Sequence, residues 1–150
     1  MTGLQNVVFL LNEQHYGIEI SKIREVLSYH KITPLPHVAR FVKGVINLRG
    51  TILPVFDLGD KFDLPNREYT RFHVIIVMEI AGRIMGVIVD EISDVVEIMP
   101  GEFQNTSNLP PGIHHEYLKG VGKKGDELII LLDIDRLLSI EELGIADAVA

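Results

Sequence analysis

The sequence predicts a mainly β protein made of two small barrels in tandem. About ten short apolar runs follow one another at intervals of about 8–12 residues, with few helical patterns between them, and this spacing is typical of barrels and sandwiches. A weak internal repeat points the same way, because residues 51–62 and 127–138 both read as a strand, an aspartate and a short helix. Two similar barrels account for that repeat.

The first half of the chain contains five predicted strands, each an apolar or alternating run bounded by turn residues. These strands cover residues 7–11, 16–20, 25–28, 44–48 and 51–56. Residues 12–15 read as the turn of the first hairpin. Arg49-Gly50 joins the last two strands.

Helical structure in this half is predicted to be short. Ser21 is suited to cap a single helical turn, Asp57 caps a short helix that ends near Phe62, and residues 38–42 form a further turn. Two prolines exclude both helix and central strand from residues 31–36.

The second half contains five more predicted strands and a final helix. The strands cover residues 72–80, 83–89, 92–98, 117–121 and 127–132. Ala81-Gly82 is the turn of the first hairpin in this half, and residues 99–116 read as a long loop. Asp133 is predicted to cap a final helix that runs to about Leu138, and residues 144–150 are predicted to fray.

Composition excludes several classes of protein. The formal net charge is −7 and no run of five basic residues exists, which argues against nucleic acid as a partner. The chain has no cysteine, so disulfides, cysteine zinc sites and thiol nucleophiles are excluded. It also has no signal-peptide pattern and no apolar run of about 20 residues, so we expect a cytoplasmic protein without membrane insertion.

The motifs that could carry chemistry all have simpler structural interpretations. Residues 120–125 match G-x-G-x-x-G, but a β-type run follows them, so a glycine-rich hairpin turn is the better interpretation. The six histidines lack the spacing of metal ligands, and Asp133 and Asp135 suit the start of a helix. No serine has a nucleophile context. We therefore expect no catalytic, metal or cofactor site.

One charge stands out from its apolar surroundings. Arg49 lies within residues 41–58, between two β-branched apolar runs. Arginine is almost never fully buried without a partner. If Arg49 is held between two core strands, its partner is a clue to function.

The same stretch resembles the CheW family of chemotaxis coupling proteins. Residues 44–50, Gly-Val-Ile-Asn-Leu-Arg-Gly, and 54–58, Pro-Val-Phe-Asp-Leu, carry the resemblance most clearly. Other segments agree in order and spacing, and they are residues 16–20, 23–26, 32–36, 86–90 and 131–135. The resemblance covers about residues 5–140. It implies one domain over 1–150, formed by two interleaved, five-stranded SH3-like barrels that share a core, with a boundary near residues 64–70.

The resemblance also implies a function. It implies an adaptor that binds the regulatory domain of the histidine kinase CheA and the cytoplasmic tip of methyl-accepting chemoreceptors. The regulatory domain of the kinase has the same fold, but a length of 150 residues favours a free-standing adaptor. Alternatives are a regulatory module of another chemosensory pathway, an OB-type nucleic-acid-binding barrel, and an enzyme with an unrecognised site.

Two binding surfaces follow from matching positions to the family. The implied receptor groove involves Ile20, Ile23, Glu25, Val26, Arg49, Val87 and Val89. The apolar members of this set also suit an ordinary core. Glu25 and Arg49 are predicted to form an ion pair at the edge of the groove. The implied kinase contact is Phe41, Val42, Lys43 and Gly44 with neighbouring loops.

Overall fold

The computed structural model describes residues 3–65, 68–105 and 115–149 and confirms the mainly β fold class. Short strands and two short α-helices account for most of the regular structure of these residues. In chain order the elements are β1 (Leu4–Leu11), β2 (Gln14–Glu19), β3 (Ile23–Ser28), β4 (Val42–Leu48), β5 (Thr51–Asp57), α1 (Leu58–Lys61), β6 (Val74–Ile80), β7 (Arg83–Val89), β8 (Glu91–Ile98), β9 (Phe103–Gln104), β10 (Leu118–Lys124), β11 (Glu127–Leu132) and α2 (Ile140–Val149).

The strands form two sheets that are interleaved along the chain. One sheet has six strands in the order β8-β1-β2-β11-β10-β9, and the other has five in the order β3-β6-β7-β5-β4. The five-stranded sheet uses only residues 23–89, whereas both ends of the chain contribute to the six-stranded sheet. The segment 64–70, where a boundary was predicted, connects α1 to β6 within one sheet. Residues 66–67 of it lie outside the described residues.

Three tight hairpin turns set the register of the strands. Residues 12–13, 49–50 and 81–82 each have positive φ at both positions, which is the backbone of a type I′ turn. This turn matches the natural twist of the strands that it joins. The first turn is shorter than predicted, because Gln14 and His15 already pair with β1.

A shared core lies between the two sheets. Phe9 and Ile18 of the six-stranded sheet belong to the same buried cluster as Ile76, Met78 and Val87 of the five-stranded sheet. Each sheet also encloses a smaller buried cluster of its own. Three apolar layers of this kind are consistent with two barrel-like units packed against each other.

The end of the chain differs from the prediction. Asp133 is followed by a single 3₁₀ turn, Ile134–Arg136, and its side chain makes no capping hydrogen bond within the described residues. The helix instead covers Ile140–Val149, where fraying was predicted. Ser139 Oγ accepts a hydrogen bond from Glu142 N at 3.1 Å, and Glu142 Oε1 accepts one from Ser139 N at 2.7 Å. This capping box explains where the helix begins.

Three further local predictions need correction or refinement. Gly120 and Gly122 lie inside β10 rather than in a turn, and the turn is at residues 125–126. A Cβ on Gly120 would lie 2.5 Å from the carbonyl oxygen of Gln104, so close strand packing accounts for this glycine. Within residues 38–42, a single hydrogen-bonded turn leads into β4, in which the Ala39 carbonyl oxygen accepts a hydrogen bond from Val42 N at 3.0 Å. The predicted loop 99–116 begins with a 3₁₀ turn and β9, and residues 106–114 lie outside the described residues.

Candidate partner-binding cleft

A cleft opens where the two edge strands of the five-stranded sheet separate. β3 and β4 are the ends of this sheet, and residues from all five strands line a cavity of about 460 Å³. Leu53 and Val77 form a buried floor, with exposed fractions of 4% and 2%. Charged side chains of β3 and of the β4–β5 turn form the rim. The cleft therefore combines an apolar floor with a charged edge.

An ion pair spans the mouth of this cleft. Arg49 Nη2 lies 2.6 Å from Glu25 Oε1, so the predicted contact between these two side chains is confirmed. It connects β3 with the β4–β5 turn. The Arg49 side chain is 71% exposed, because it lies in the turn and not between core strands. Arg49 is therefore not held between core strands, and the pair is a surface ion pair.

The Asn-Leu-Arg-Gly sequence builds the turn that presents Arg49. Arg49 has φ +51° and Gly50 has φ +89°. Asn47 Oδ1 accepts a hydrogen bond from Gly50 N at 2.8 Å, which fixes the turn from the strand residue just before it. Arginine is an uncommon residue at positive φ, where Asn and Gly are favoured. The backbone thus holds a charged side chain at the rim, and the positive φ of Arg49 has a moderate energetic cost.

The apolar residues of the predicted groove divide into two groups. Ile20 and Val26 are exposed at 42% and 44%, and Ile23 is half-buried beside the shared core. Val87 and Val89 are both 0% exposed, so their assignment to a groove needs correction. They lie on β7, which has β6 on one side and β5 on the other, and both of its faces are covered. Central strands of this kind are part of the core.

The predicted kinase segment lies at the other end of β4. Phe41 is half-buried and packs edge-to-face on Phe56, with ring centroids 6.0 Å apart. Val42 is buried, and Lys43 Nζ lies 2.5 Å from Asp60 Oδ2. Gly44 has φ +142°. Since a strand rises about 3.3 Å per residue, roughly 20 Å of β4 separate this segment from Arg49.

The model of the CheW-like domain family matches residues 5–142. The chain belongs to the CheW family. It is 36% identical over 148 residues to "Chemotaxis protein CheW" of Klebsiella aerogenes, covering 99% of this chain and 89% of that protein. The relative of the same name in Treponema pallidum is 33% identical, and the match covers 93% of this chain and 84% of the Treponema protein.

A solved structure supports the same assignment. The crystal structure of the scaffolding protein TtCheW from Thermoanaerobacter tengcongensis superposes with a TM-score of 0.86 at 32% identity. The match covers 93% of this chain and 95% of that one. The CheW fold therefore extends over both sheets of this chain.

Most of the cleft lining was not predicted from the sequence. Leu48, Thr51, Leu53 and Ile84 line the cleft, and none of them was predicted as a site residue. Alternation along β5 places Thr51 and Leu53 on the same face, which is a signal that could have found them. Arg24, which forms a 2.7 Å ion pair with Glu79 beside the cleft, was missed as well.

Neither a metal-binding cluster nor a membrane-spanning helix is present among the described residues. Among residues 3–65, 68–105 and 115–149, no group of three or more His, Cys, Asp or Glu side chains has an arrangement suited to a metal ion. No helix in the described part of the chain is both long and apolar enough to cross a membrane.

A second charged cluster joins the C-terminal segment to the five-stranded sheet. Asp135 Oδ1 accepts a hydrogen bond from Ala81 N at 2.9 Å, and Asp135 Oδ2 lies 3.0 Å from Lys22 Nζ. The hydrogen bond from the Ala81 amide is the largest cause that holds the pKa of the Asp135 carboxyl below its usual range; burial opposes it, and the hydrogen bond and charge of Lys22 add to the lowering. Asp135 therefore fixes the β6–β7 turn against the segment that follows β11.

This cluster predicts a dependence of stability on pH. Because the folded state lowers the pKa of Asp135, its contribution is fully present above the unfolded value of about 3.9 and is lost as the pH falls through the folded pKa. Asp135→Asn is expected to lower the free energy of unfolding by about 1 kcal/mol at pH 7, since the side chain is 43% exposed. Urea unfolding between pH 7 and pH 3 measures it.

Asp133→Asn is the matched control for this prediction, because the Asp133 side chain makes no capping hydrogen bond within the described residues. It should leave the stability profile nearly unchanged. An Asp135→Asn protein whose stability falls with acid as steeply as that of the wild type would show that Asp135 has no such role.

Proposed function

We propose that this CheW-family chain is a cytoplasmic chemotaxis adaptor. It links the cytoplasmic tips of methyl-accepting chemoreceptors to the regulatory domain of the histidine kinase CheA. The observation that carries the proposal is the Glu25–Arg49 ion pair across the mouth of an apolar cleft, at the two positions that match the family's acidic and basic residues. The role is assembly of partners rather than catalysis.

The cleft is suited to an apolar side chain of the receptor. Leu53, Val77 and Ile84 offer an apolar floor, and the partner's side chain leaves water when it packs on them. The charged rim gives orientation and selectivity more than affinity. Ile20 and Val26 add exposed apolar surface at β3 and the turn before it.

The kinase contact is proposed at the opposite end of β4, around residues 41–44. Lys43 and Arg40 share the nearly buried carboxylate of Asp60, at 2.5 Å and 3.2 Å, and both keep part of their side chains exposed. Since about 20 Å separate this segment from Arg49, the two partners can bind the chain together. Both contacts are expected to be modest in size, and repetition in an array supplies the overall strength.

Arg49→Ala separates the binding role of the ion pair from its structural role. A surface ion pair contributes about 0–1 kcal/mol, so the free energy of unfolding should change by less than about 1 kcal/mol. Affinity for a receptor cytoplasmic fragment should fall by about fivefold or more, since arginine anchors are frequent hot spots. Chemical denaturation and a binding titration of the same preparations measure both effects.

Arg24→Ala is the control variant, because Arg24 pairs with Glu79 rather than across the mouth of the cleft. It should weaken binding less than Arg49→Ala does. Full stability together with full receptor binding in the Arg49→Ala protein would exclude the ion pair from the receptor contact.

A further inference from the structure

The C-terminal segment crosses from one sheet to the other and covers part of the second. Residues 133–149, here named the C-terminal strap, leave the six-stranded sheet after β11, and α2 then packs on β5 and β7 of the five-stranded sheet. Leu143 and Ala146 are the buried residues of α2, with exposed fractions of 9% and 7%. A helix of ten residues is marginal by itself in water, so its stability comes from this packing.

The surface beneath the strap is apolar and partly aromatic. Phe41, Val42, Phe56 and Met85 face Ala146 and its neighbours across a residual cavity of only about 20 Å³. Lys61 is at the edge, with Nζ 4.7 Å from the centroid of the Phe41 ring. Without α2, this surface would be an exposed apolar patch of the kind that marks binding sites.

Three ion pairs hold the strap, and in each pair the carboxylate lies on the strap. Three carboxylates on the strap pair with three cations that all lie within residues 20–89. The pairs are Asp135 with Lys22 at 3.0 Å, Glu142 with Lys61 at 2.6 Å, and Asp147 with Arg83 at 2.7 Å. Arg83 and Asp147 form a second bond at 3.0 Å, so this pair is bidentate.

Two features weaken the attachment of α2 to the five-stranded sheet. Gly144 lies in the middle of α2, and glycine is among the weakest helix formers. Apart from its chain neighbours and the backbone of α2 itself, no described atom lies within 4 Å of a Cβ built on Gly144, so close packing does not require a glycine there. The Asp147 side chain is 58% exposed, which leaves its pair with Arg83 open to screening by salt.

We propose that the surface formed by Phe41, Val42, Phe56 and Met85 is a docking site for a short acidic helix of another protein, which takes the place of α2. Charge complementarity defines this occupant. Lys61 and Arg83 become available when the strap leaves, and they fit carboxylates five residues apart, as in Glu142 and Asp147. Five residues of helix rise about 7.5 Å.

The strap then acts as an internal competitor. An attached helix has an effective concentration in the millimolar range, so the affinity of an incoming helix is its intrinsic affinity multiplied by the fraction of chains in which the strap is open. Weakening the strap without altering the docking surface should therefore tighten binding of the incoming helix. Strengthening the strap should weaken it.

The test uses full-length protein and a labelled synthetic peptide with the sequence of residues 138–149. The double variant Glu142→Gln with Asp147→Asn loosens the strap because it removes two of its ion pairs, and it leaves Lys61 and Arg83 in place for the peptide. The amide oxygen of the new glutamine can still accept the capping hydrogen bond from Ser139 N. Gly144→Ala strengthens the strap by raising helix propensity. The loosened protein should bind the peptide about fivefold more tightly than the wild type, and the Gly144→Ala protein about fourfold more weakly.

Three results would overturn the proposal. They are equal peptide affinity in all three proteins, no saturable binding of the peptide below about 1 mM, and exchange of α2 between two copies of the wild-type chain, detected as a dimer by size-exclusion chromatography. A peptide with lysines in place of its two acidic residues at 142 and 147 should not bind. Phe41 and Val42 also belong to the proposed kinase contact, but the assay contains neither receptor nor kinase, so a failure of peptide binding and a failure of the adaptor role give different results.

Discussion

Gly44→Ala is expected to destabilise the protein by at least about 3 kcal/mol. Gly44 has φ +142°, a backbone conformation that residues with a Cβ rarely adopt. A Cβ at this position would lie 1.9 Å from the carbonyl oxygen of Thr33. That carbonyl accepts a hydrogen bond from Val45 N at 2.8 Å, so it cannot move aside without breaking the bridge to β4. Chemical denaturation followed by circular dichroism measures the loss.

Gly50→Ala is the matched control for Gly44→Ala. Gly50 also has positive φ, +89°, but no described atom lies within 4 Å of the place that a Cβ would occupy, so only the backbone cost applies. We expect a loss of about 1 kcal/mol. Equal losses in the two variants would mean that the contact with Thr33 is unimportant. A Gly44 variant is therefore a poor test of kinase binding, because its effect would include unfolding.

Charge reversal at the mouth of the cleft is the second large effect. Arg49→Glu places two carboxylates together where the wild type has an ion pair of 2.6 Å, and like charges in an interface cost several kcal/mol. We expect the affinity for the receptor fragment to fall by more than about tenfold. The substitution removes the cation, and the repulsion between the two carboxylates displaces the rim. A binding titration against the receptor cytoplasmic fragment measures this loss.

The double variant Glu25→Arg with Arg49→Glu restores opposite charges in the reverse order. If the pair acts by shaping the rim, the double variant should recover part of the affinity. Recovery of no affinity, with the fold intact, would show that the receptor reads the individual charges. An Arg49→Glu protein that binds like the wild type would remove the pair from the receptor contact altogether.

Local sequence patterns predicted most of the strands, because apolar alternation and tight turns are set by neighbouring residues. The hairpin at Ala81-Gly82 and the N-cap at Asp57 are as predicted, and Asp57 accepts a hydrogen bond from Asp60 N. The sequence also contains the capping box at Ser139, which competes with Asp133 as a signal for the start of the last helix. The predicted start was wrong because two local signals lie close together and only one of them forms the cap.

Long-range placement could not be predicted in this way. Val87 and Val89 suit a groove or a core equally well in sequence, and only the position of β7 between β6 and β5 decides that they are core. The pairing of Arg49 with Glu25 came from the resemblance to a family rather than from spacing. The exposure of Arg49 depends on positive φ at the turn, which an arginine does not suggest.

Co-sedimentation tests the adaptor role most directly. Receptor cytoplasmic fragments, the kinase CheA and this chain are mixed, the receptor assemblies are pelleted, and kinase in the pellet and its autophosphorylation rate are measured. We expect the kinase to enter the pellet and to change activity only when the chain is present, and we expect Arg49→Glu to reduce both effects. A kinase that stays in the supernatant, or whose activity is unchanged with the wild-type chain, would contradict it.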